Sequence, residues 1–212
     1  MATESGAAAI QEPATKRAVI FIDGQNLYHH ARAAFNITHP NYDVMLLAKE
    51  ICKANGWFLK SVRFYTGVPE AADDGFWHNF WAKKLLHIKR QGVTTFSRRL
   101  RYRNSKVTVG GVEHTVRVGE EKGIDIRIAL DVVSYAISND LDVAVIFSQD
   151  QDMSEVVDEI KKIARIQRRW IKVACPYPLS ATASNRRGIN GAQWLPFDDV
   201  LYRRCIDPRD YR

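Results

Sequence analysis

The chain has 212 residues, of which 46% are hydrophobic and 26% are charged, and these are ordinary values for one globular domain with a substantial core. Its 31 Lys and Arg residues outnumber 24 Asp and Glu residues, and the net charge of +7 favours polyanionic partners, with nucleic acid ahead of membrane surfaces. No apolar run approaches the roughly 20 residues of a membrane-spanning helix, and three widely spaced cysteines predict neither a disulfide framework nor a zinc knuckle.

The first half of the chain alternates between strand and helix patterns. Residues 1–16 lack periodicity and predict a disordered tail, and because their start has no basic cluster we expect no secretory signal and a cytoplasmic protein. The apolar run "RAVIFID" predicts a strand buried on both faces, followed by helices in "NLYHHARAAF" and "DVMLLAKEICKANG". A second strand is predicted in "LKSVRFYTGVP", and a long helix ending at Gly92 in "DDGFWHNFWAKKLLHIKRQG".

In the second half, "VTTFSRRLRYRN" and "VTVGGVEHTVRV" alternate between polar and apolar residues, and Gly110–Gly111 is a hairpin turn signal. We therefore predict an inserted basic β-hairpin. A helix in "KGIDIRIALDVVSYAISN", a strand in "LDVAVIFS", a helix in "QDMSEVVDEIKKIARI" and a last strand in "WIKVACPYP" follow. Such alternation predicts an α/β fold with a central, mostly parallel sheet between helices; residues 17–178 would form the domain and residues 179–212 an extension packed on it.

Several aspartates are predicted to meet at one edge of this sheet. Asp23 ends the first strand, and Asp150 and Asp152 directly follow "VAVIFS". Ligand sites of open parallel sheets lie at the carboxyl ends of the strands, so these positions should be close together. The helix that leads into "LDVAVIFS" starts at the same edge and carries two more candidates, Asp125 and Asp131.

The start of that helix decides between the two. A helix that begins at Lys122 favours Asp125, whereas a regular helix that begins only near Ala129 favours Asp131, which lies about 9 Å further along the axis. Both remain candidates at this point.

Converging carboxylates repel one another unless a cation compensates their charge, and all-oxygen ligands suit Mg²⁺ or Mn²⁺. Such an ion can polarise a phosphoryl oxygen. Gly24 allows a close approach of the backbone, and Asn26 is either a helix cap or a group that orients a phosphate. Each single aspartate also has a simpler interpretation as a helix N-cap, Asp152 in particular. His29 and His30 are given no role.

The three motifs "FIDGQN", "EKGIDIRIALD" and "VAVIFSQDQD" together resemble the NYN domain family, the LabA-like branch of the PIN-like nucleases. The resemblance implies a PIN-like three-layer α/β/α fold and a metal-dependent RNase, usually an endonuclease that leaves a 3′-hydroxyl and a 5′-phosphate. The positions that match the family's site are Asp23, Asn26, Lys122, Asp125, Asp131, Asp150 and Asp152. The third motif departs from the family pattern, because Gln149 replaces a glycine and Met153 an aromatic residue.

The densest basic run is "SRRLRYRNSK". In one alternating strand, Arg99, Arg101 and Arg103 would share a face, and such a face can follow the phosphates of RNA. Arg117 and Lys122 lead from the hairpin toward the acidic edge. The alternative is a solvated edge hairpin whose charges prevent aggregation.

The leading hypothesis is an RNase that hydrolyses phosphodiester bonds as an endonuclease, with Asp23, Asp125, Asp150 and Asp152 as ligands of Mg²⁺ or Mn²⁺. The alternative, motivated by Gln149, is an RNA-binding or protein-interaction module with an impaired site. The spacing of Trp77 and Trp81 is typical of core packing rather than base stacking. For a homodimer, the hairpin and the C-terminal segment are the two candidate contacts.

Overall fold

The computed structural model describes residues 10–181, 183 and 185–211. Within these residues the strands are β1 (Arg17–Asp23), β2 (Phe58–Val68), β3 (Thr94–Arg99), β4 (Arg101–Val109), β5 (Val112–Glu120), β6 (Val143–Phe147), β7 (Lys172–Pro178) and β8 (Gln193–Phe197). The helices are α1 (Gly24–Phe35), α2 (Val44–Ala54), α3 (Gly75–Arg90), α4 (Ile124–Ile137), α5 (Ser154–Ile166) and α6 (Asp199–Arg204). The predicted alternation of strands and helices is confirmed.

A parallel sheet in the order β3-β2-β1-β6-β7-β8 forms the centre of the domain. Alternate residues of β1 enter two separate cores. Ile20 and Ile22 pack in the core that contains residues of α1, α2 and α3, whereas Val19 and Phe21 pack in the core of α4 and α5. A strand buried on both faces needs apolar residues at every position, which explains the unbroken run in "AVIFI". The predicted three-layer α/β/α fold is therefore confirmed.

The sheet has a topological switch point between β1 and β6. The chain builds the sheet outward from β1 to β2 and β3 on one side, and from β6 to β7 and β8 on the other. Ile22 pairs with Phe147, so the residues that follow β1 and β6 leave the sheet side by side. The crevice outside the carboxyl ends of such strands is where open α/β sheets bind ligands.

The central sheet gains one more strand after residue 178, which corrects the prediction of "WIKVACPYP" as the last strand. β8 pairs in parallel with β7 over five residues of each strand, from Ala174 and Gln193 to Pro178 and Phe197. Pro196 weakens the strand signal of "QWLPF" because proline is confined to sheet edges, and β8 is an edge strand. Most of the predicted tail, residues 1–9, lies outside the described residues.

The basic segment is also divided differently from the prediction. β3 extends the central sheet alongside β2, whereas β4 and β5 form a separate antiparallel ribbon that turns at Gly110 and Gly111. Leu100 separates β3 from β4. Because Arg99 therefore lies on another strand than Arg101 and Arg103, the prediction that the three arginines share one face of one strand is wrong.

In the part of the chain that the structure describes, no helix is long and apolar enough to cross a membrane. The cysteines Cys52, Cys175 and Cys205 are all buried and free.

Candidate active site

Asp23 is the last residue of β1 and the N-cap of α1. Its carboxylate accepts a hydrogen bond from the backbone N–H of Asn26 at 3.0 Å, and the side chain is nearly inaccessible to solvent. Burial raises the pKa of Asp23 to about 6; the hydrogen bond from Asn26 opposes this shift, and the nearby charges of Asp150 and Asp125 add to it. Asp23 is therefore close enough to Asp150 and Asp125, the two carboxylates predicted to lie beside it, for their charges to affect its pKa.

Gly24 allows α1 to start directly against β2. A Cβ atom at this position would lie 2.5 Å from the ring of Phe64 and 2.9 Å from the carbonyl oxygen of Tyr65. Only glycine fits there, so the glycine of "FIDGQN" lets the chain turn from β1 into α1 immediately after Asp23.

Asp150 follows β6 and caps a short 3₁₀ turn. Its Oδ1 accepts a hydrogen bond from the N–H of Asp152 at 3.0 Å, so Asp150, and not Asp152, is the capping residue. Asp152 is exposed and does not line the pocket that contains Asp23 and Asp150.

The start of α4 places Asp125, and not Asp131, at the pocket. The helix begins at Ile124, directly after Gly123, whose φ of +73° is the left-handed conformation that glycine adopts readily. Asp125 therefore lies in the first turn, at the carboxyl edge of the sheet, and lines the pocket. This is the outcome expected for a helix that starts near Lys122.

Asp131, the other candidate on this helix, does not line the pocket. Its carboxylate accepts hydrogen bonds from Arg63 Nη2 at 2.8 Å and Tyr65 Oη at 2.7 Å, and it also pairs with Arg127. Burial alone would raise the pKa of Asp131, but these hydrogen bonds and charges outweigh it and hold the pKa below its usual value. The residue is a buried anchor between β2 and α4.

Glu121 is a site residue that the sequence analysis missed. It lines the same pocket and accepts a hydrogen bond from the N–H of Gly67. Burial, reinforced by the charge of Asp23, raises the pKa of Glu121 to about 8. Glu121 directly precedes Lys122 in "EKGID", but nothing in the local sequence indicates that β2 would bury it.

Asp23, Asp125, Asp150 and Glu121 line one open pocket of about 910 Å³. The other walls are polar or basic, and the residues that form them include Gln25, Asn26, His29, Arg98, Arg99, Arg101 and Lys122. Arg98 donates a hydrogen bond to the carbonyl oxygen of Lys122 at 3.4 Å, which places β3 beside the start of α4. Carboxylates and guanidinium groups thus face a common space, an arrangement suited to a phosphate and the cation that accompanies it.

The predicted RNA-binding residues fall into two groups. Arg99, Arg101 and Lys122 line the acidic pocket, although Arg99 also pairs with Glu70 at 3.0 Å. The other two do not line it. Arg103 pairs with Glu120 across the ribbon, and Arg117 pairs with Asp73 at 2.7 Å beside a second pocket.

Asn26 connects the first and third motifs. Its Oδ1 accepts a hydrogen bond from the backbone N–H of Gln149 at 2.9 Å, while Asp23 supplies the cap of α1. The interpretation of Asn26 as the helix cap is therefore wrong. Its amide fixes the exit of β6 relative to α1, and the residue lines the pocket.

Gln149 does not line the acidic pocket. Its buried side chain donates a hydrogen bond to the carbonyl oxygen of Arg187 at 2.7 Å. Its backbone is not among the positive-φ positions of the described residues, so no glycine is needed here for the chain to turn. The replacement of the family's glycine is thus accommodated without backbone strain, although the buried Oε1 of Gln149 has no hydrogen-bond partner among the described residues.

The donor chemistry of the pocket fits a hard divalent cation. Four carboxylates supply only oxygen ligands, and their mutual repulsion contributes to the raised pKa values of Asp23 and Glu121. In the residues that the structure describes, however, no three His, Cys, Asp or Glu side chains are already grouped to hold a metal ion. Binding such an ion would require these side chains to turn toward one point.

The fold and the pocket together define an α/β protein with an acidic, oxygen-rich site at the switch point of a parallel sheet. The sequence model of the NYN domain matches residues 17–166, and the chain belongs to this family. NYN domains are typically PIN-like nuclease domains. The predicted family is thus confirmed, and the LabA-like branch stays a prediction.

The chain is also similar to solved structures. A protein of unknown function, VPA0982 from Vibrio parahaemolyticus RIMD 2210633, shares 22% identity with a TM-score of 0.53, and the match covers 90% of this chain and 98% of that one. This likeness concerns the fold alone. Acinetobacter baumannii MurG matches at 12% identity with a TM-score of 0.33, over 85% of this chain and 45% of that one, which is too weak to support an argument. No curated protein matches the chain.

Proposed function

We propose that the protein is a divalent-metal-dependent ribonuclease that cleaves RNA endonucleolytically. The observation that carries the proposal is the convergence of Asp23, Asp150 and Asp125 from three separate elements on one pocket beside a basic wall. Asp23 is buried beside the half-buried Asp150 and the exposed Asp125, and neighbouring carboxylates repel one another unless a cation compensates their charge. Membership of a family of nuclease domains supports the same interpretation.

In this proposal, the acidic residues of the pocket bind the metal ion and the basic residues bind the RNA. Mg²⁺ or Mn²⁺, held by Asp23, Asp125 and Asp150, would neutralise the carboxylates and supply Lewis acidity at the phosphate. Arg98, beside Lys122 at the start of α4, faces the same space and would hold the anionic RNA backbone. The phosphodiester is thereby placed between fixed positive charge and the acidic cluster.

The openness of the pocket favours an internal cleavage site. The pocket is open to solvent, and residues of β3 and the start of β4 form its basic wall, so an RNA strand need not present an end to enter it. A circular RNA tests this point directly, since it offers no terminus to an exonuclease.

The experiment compares purified wild-type protein with the Asp23→Asn/Asp150→Asn double variant on linear and circular RNA with Mn²⁺, with and without EDTA. We expect cleavage of both substrates by the wild type only, and its loss in EDTA. Asn caps a helix about as well as Asp, so the double variant should fold. Asp158→Asn, which alters an exposed carboxylate on α5, is the matched control and should cleave normally.

Equal degradation by the wild type and the double variant would show a contaminating nuclease and refute the proposal. The second candidate function is RNA binding without cleavage, which the ungrouped side chains favour. Tight binding of RNA by a wild-type protein that never cuts it, at any Mn²⁺ or Mg²⁺ concentration, would establish that function instead.

A further inference from the structure

A second pocket adjoins the acidic one, and its chemistry is different. It has a volume of about 390 Å³ and lies between α1, α3 and the β4–β5 ribbon. Gln25 and His29 line both pockets and form their common wall. We propose that this second pocket binds one unstacked nucleobase of the RNA strand whose phosphates occupy the acidic pocket. The proposal rests on the proposed function and adds a substrate class to it.

Aromatic side chains from three elements line the pocket. Tyr28 comes from α1, Trp77 from α3 and Tyr102 from β4. Trp77 and Trp81 both line the pocket, but Trp81 is buried in the core, whereas Trp77 packs against the core and is only partly buried. The interpretation of both tryptophans as core residues thus fits Trp81 and leaves Trp77 available for stacking.

The ring of Tyr102 is held in place before any ligand binds. Tyr102 pairs across the ribbon with Gly119, and a Cβ atom there would lie 3.0 Å from the tyrosine ring. The guanidinium of Arg117 lies over the ring, 4.7 Å from its centroid, and is itself fixed by Asp73 at 2.7 Å. A preorganised ring loses little conformational entropy when a base stacks on it.

Charge decides which part of a nucleotide fits. Asp73 and Asp74 outnumber the single cation of the second pocket, Arg117, and disfavour a phosphate there. In the first pocket, four basic residues and the proposed metal ion would exceed the four carboxylates and attract a phosphate. Carboxylate oxygens can also accept hydrogen bonds from the N–H groups on the edge of a base. A strand that places its phosphate in the acidic pocket therefore has an aromatic, phosphate-excluding pocket beside it for the attached base.

A base can enter such a pocket only when it is not stacked and paired in a helix. The structure thus points to single-stranded, looped or bulged RNA as the substrate class. Intact duplex RNA would have to break a base pair first and should bind more weakly.

Binding is measured in the Asp23→Asn/Asp150→Asn background, which cannot cleave in the proposed mechanism and lacks two repelling charges. The probes are a labelled single-stranded RNA decamer, the same decamer with every nucleotide abasic, and a duplex form. Tyr102→Ala and Trp77→Ala are compared with Phe58→Ala. This control removes an exposed aromatic ring at the start of β2, at the amino ends of the strands, whereas the acidic pocket lies at their carboxyl ends.

We expect the decamer to bind more tightly than its abasic and duplex forms. Tyr102→Ala and Trp77→Ala should each weaken its binding by about tenfold and leave abasic binding unchanged, as expected for lost base stacking. Trp77 packs against Phe80, so Tyr102→Ala on the ribbon is the decisive variant if Trp77→Ala does not fold. Equal binding of the decamer by background, Tyr102→Ala and Phe58→Ala proteins would overturn the inference.

This outcome is separate from the fate of the proposed function. Since cleavage plays no part in the binding assay, a wild-type protein that never cuts RNA would refute the ribonuclease and leave a measured base pocket intact. Conversely, a cleaving wild type with no base-dependent binding would keep the ribonuclease and refute the pocket.

Discussion

Replacing Asp131 should separate stability from activity, because its carboxylate holds the fold and does not face the pocket. Asp131→Asn keeps the shape of the side chain but removes the negative charge of the carboxylate, which accepts hydrogen bonds from Arg63 and from the hydroxyl of Tyr65. The Arg63 side chain is only 16% exposed, and without its partner it remains a buried, poorly compensated cation.

The size of the effect follows from these contacts. Breaking one partner of a buried ion pair costs on the order of 3–5 kcal/mol. Arg63 keeps hydrogen bonds to Tyr65 and Tyr135, which places the expected loss near the lower end, at about 3 kcal/mol. The contact with Arg127 adds little, since that side chain is 42% exposed.

The assay combines urea unfolding at pH 7 with RNA cleavage at a temperature at which every variant is folded. Asp131→Asn should unfold at lower urea with an unchanged m-value and should cleave like the wild type. Asp125→Asn, an exposed position in the first turn of α4, should change stability by less than about 0.5 kcal/mol and abolish cleavage.

The pH dependence gives an independent check on Asp131. Its pKa in the folded protein lies below the ordinary value, so its stabilising contribution is complete above the unfolded pKa and disappears as the pH falls through the folded one. The stability difference between the wild type and Asp131→Asn should therefore shrink toward zero at strongly acidic pH. An Asp131→Asn protein of wild-type stability, or one that is folded but inactive while Asp125→Asn stays active, would refute this reasoning.

Three further changes have defined outcomes. Gly24→Ala should destabilise the protein by about 1–3 kcal/mol, measured by urea unfolding, because its Cβ would meet Phe64 and the Tyr65 carbonyl; a wild-type midpoint would contradict this. Burial lowers the pKa of Lys84 to about 8, so unfolding takes up protons between about pH 8 and 10.5 and stability should rise across that window by about 3 kcal/mol. Lys84→Met should lose this rise. Gln149→Gly removes the hydrogen bond to the carbonyl oxygen of Arg187 and should speed tryptic cleavage after Arg187. An unchanged digestion rate would show that this bond does not hold the segment in place.

The sequence predicted those parts of the site that depend on the order of elements. Asp23 and Asp150 follow two strands that turned out to be neighbours, and the parallel arrangement alone brings their side chains to one edge. The resemblance of three motifs pointed to the same residues. Neither source needed side-chain detail.

What the sequence could not provide depends on contacts between distant residues. Glu121 is half-buried because β2 passes beside it and the N–H of Gly67, 54 positions away in the chain, donates a hydrogen bond to its carboxylate. Asp125 and Asp131 were inseparable because a helix start can shift by several residues. The left-handed conformation of Gly123 determines where α4 begins. A glycine before an apolar run is not enough, in the sequence, to predict that conformation.

The family's third motif and the segment that leads into β8 are linked in this chain by two glutamine side chains. The match to the NYN domain ends at residue 166, yet Gln149, within the motif, hydrogen-bonds the carbonyl oxygen of Arg187 beyond it. Gln151 reaches the same segment through Gly188 at 3.1 Å. Since glycine at position 149 could make no such bond, the substitution is accounted for by the segment that leads into β8. It therefore gives no reason by itself to regard the acidic pocket as impaired.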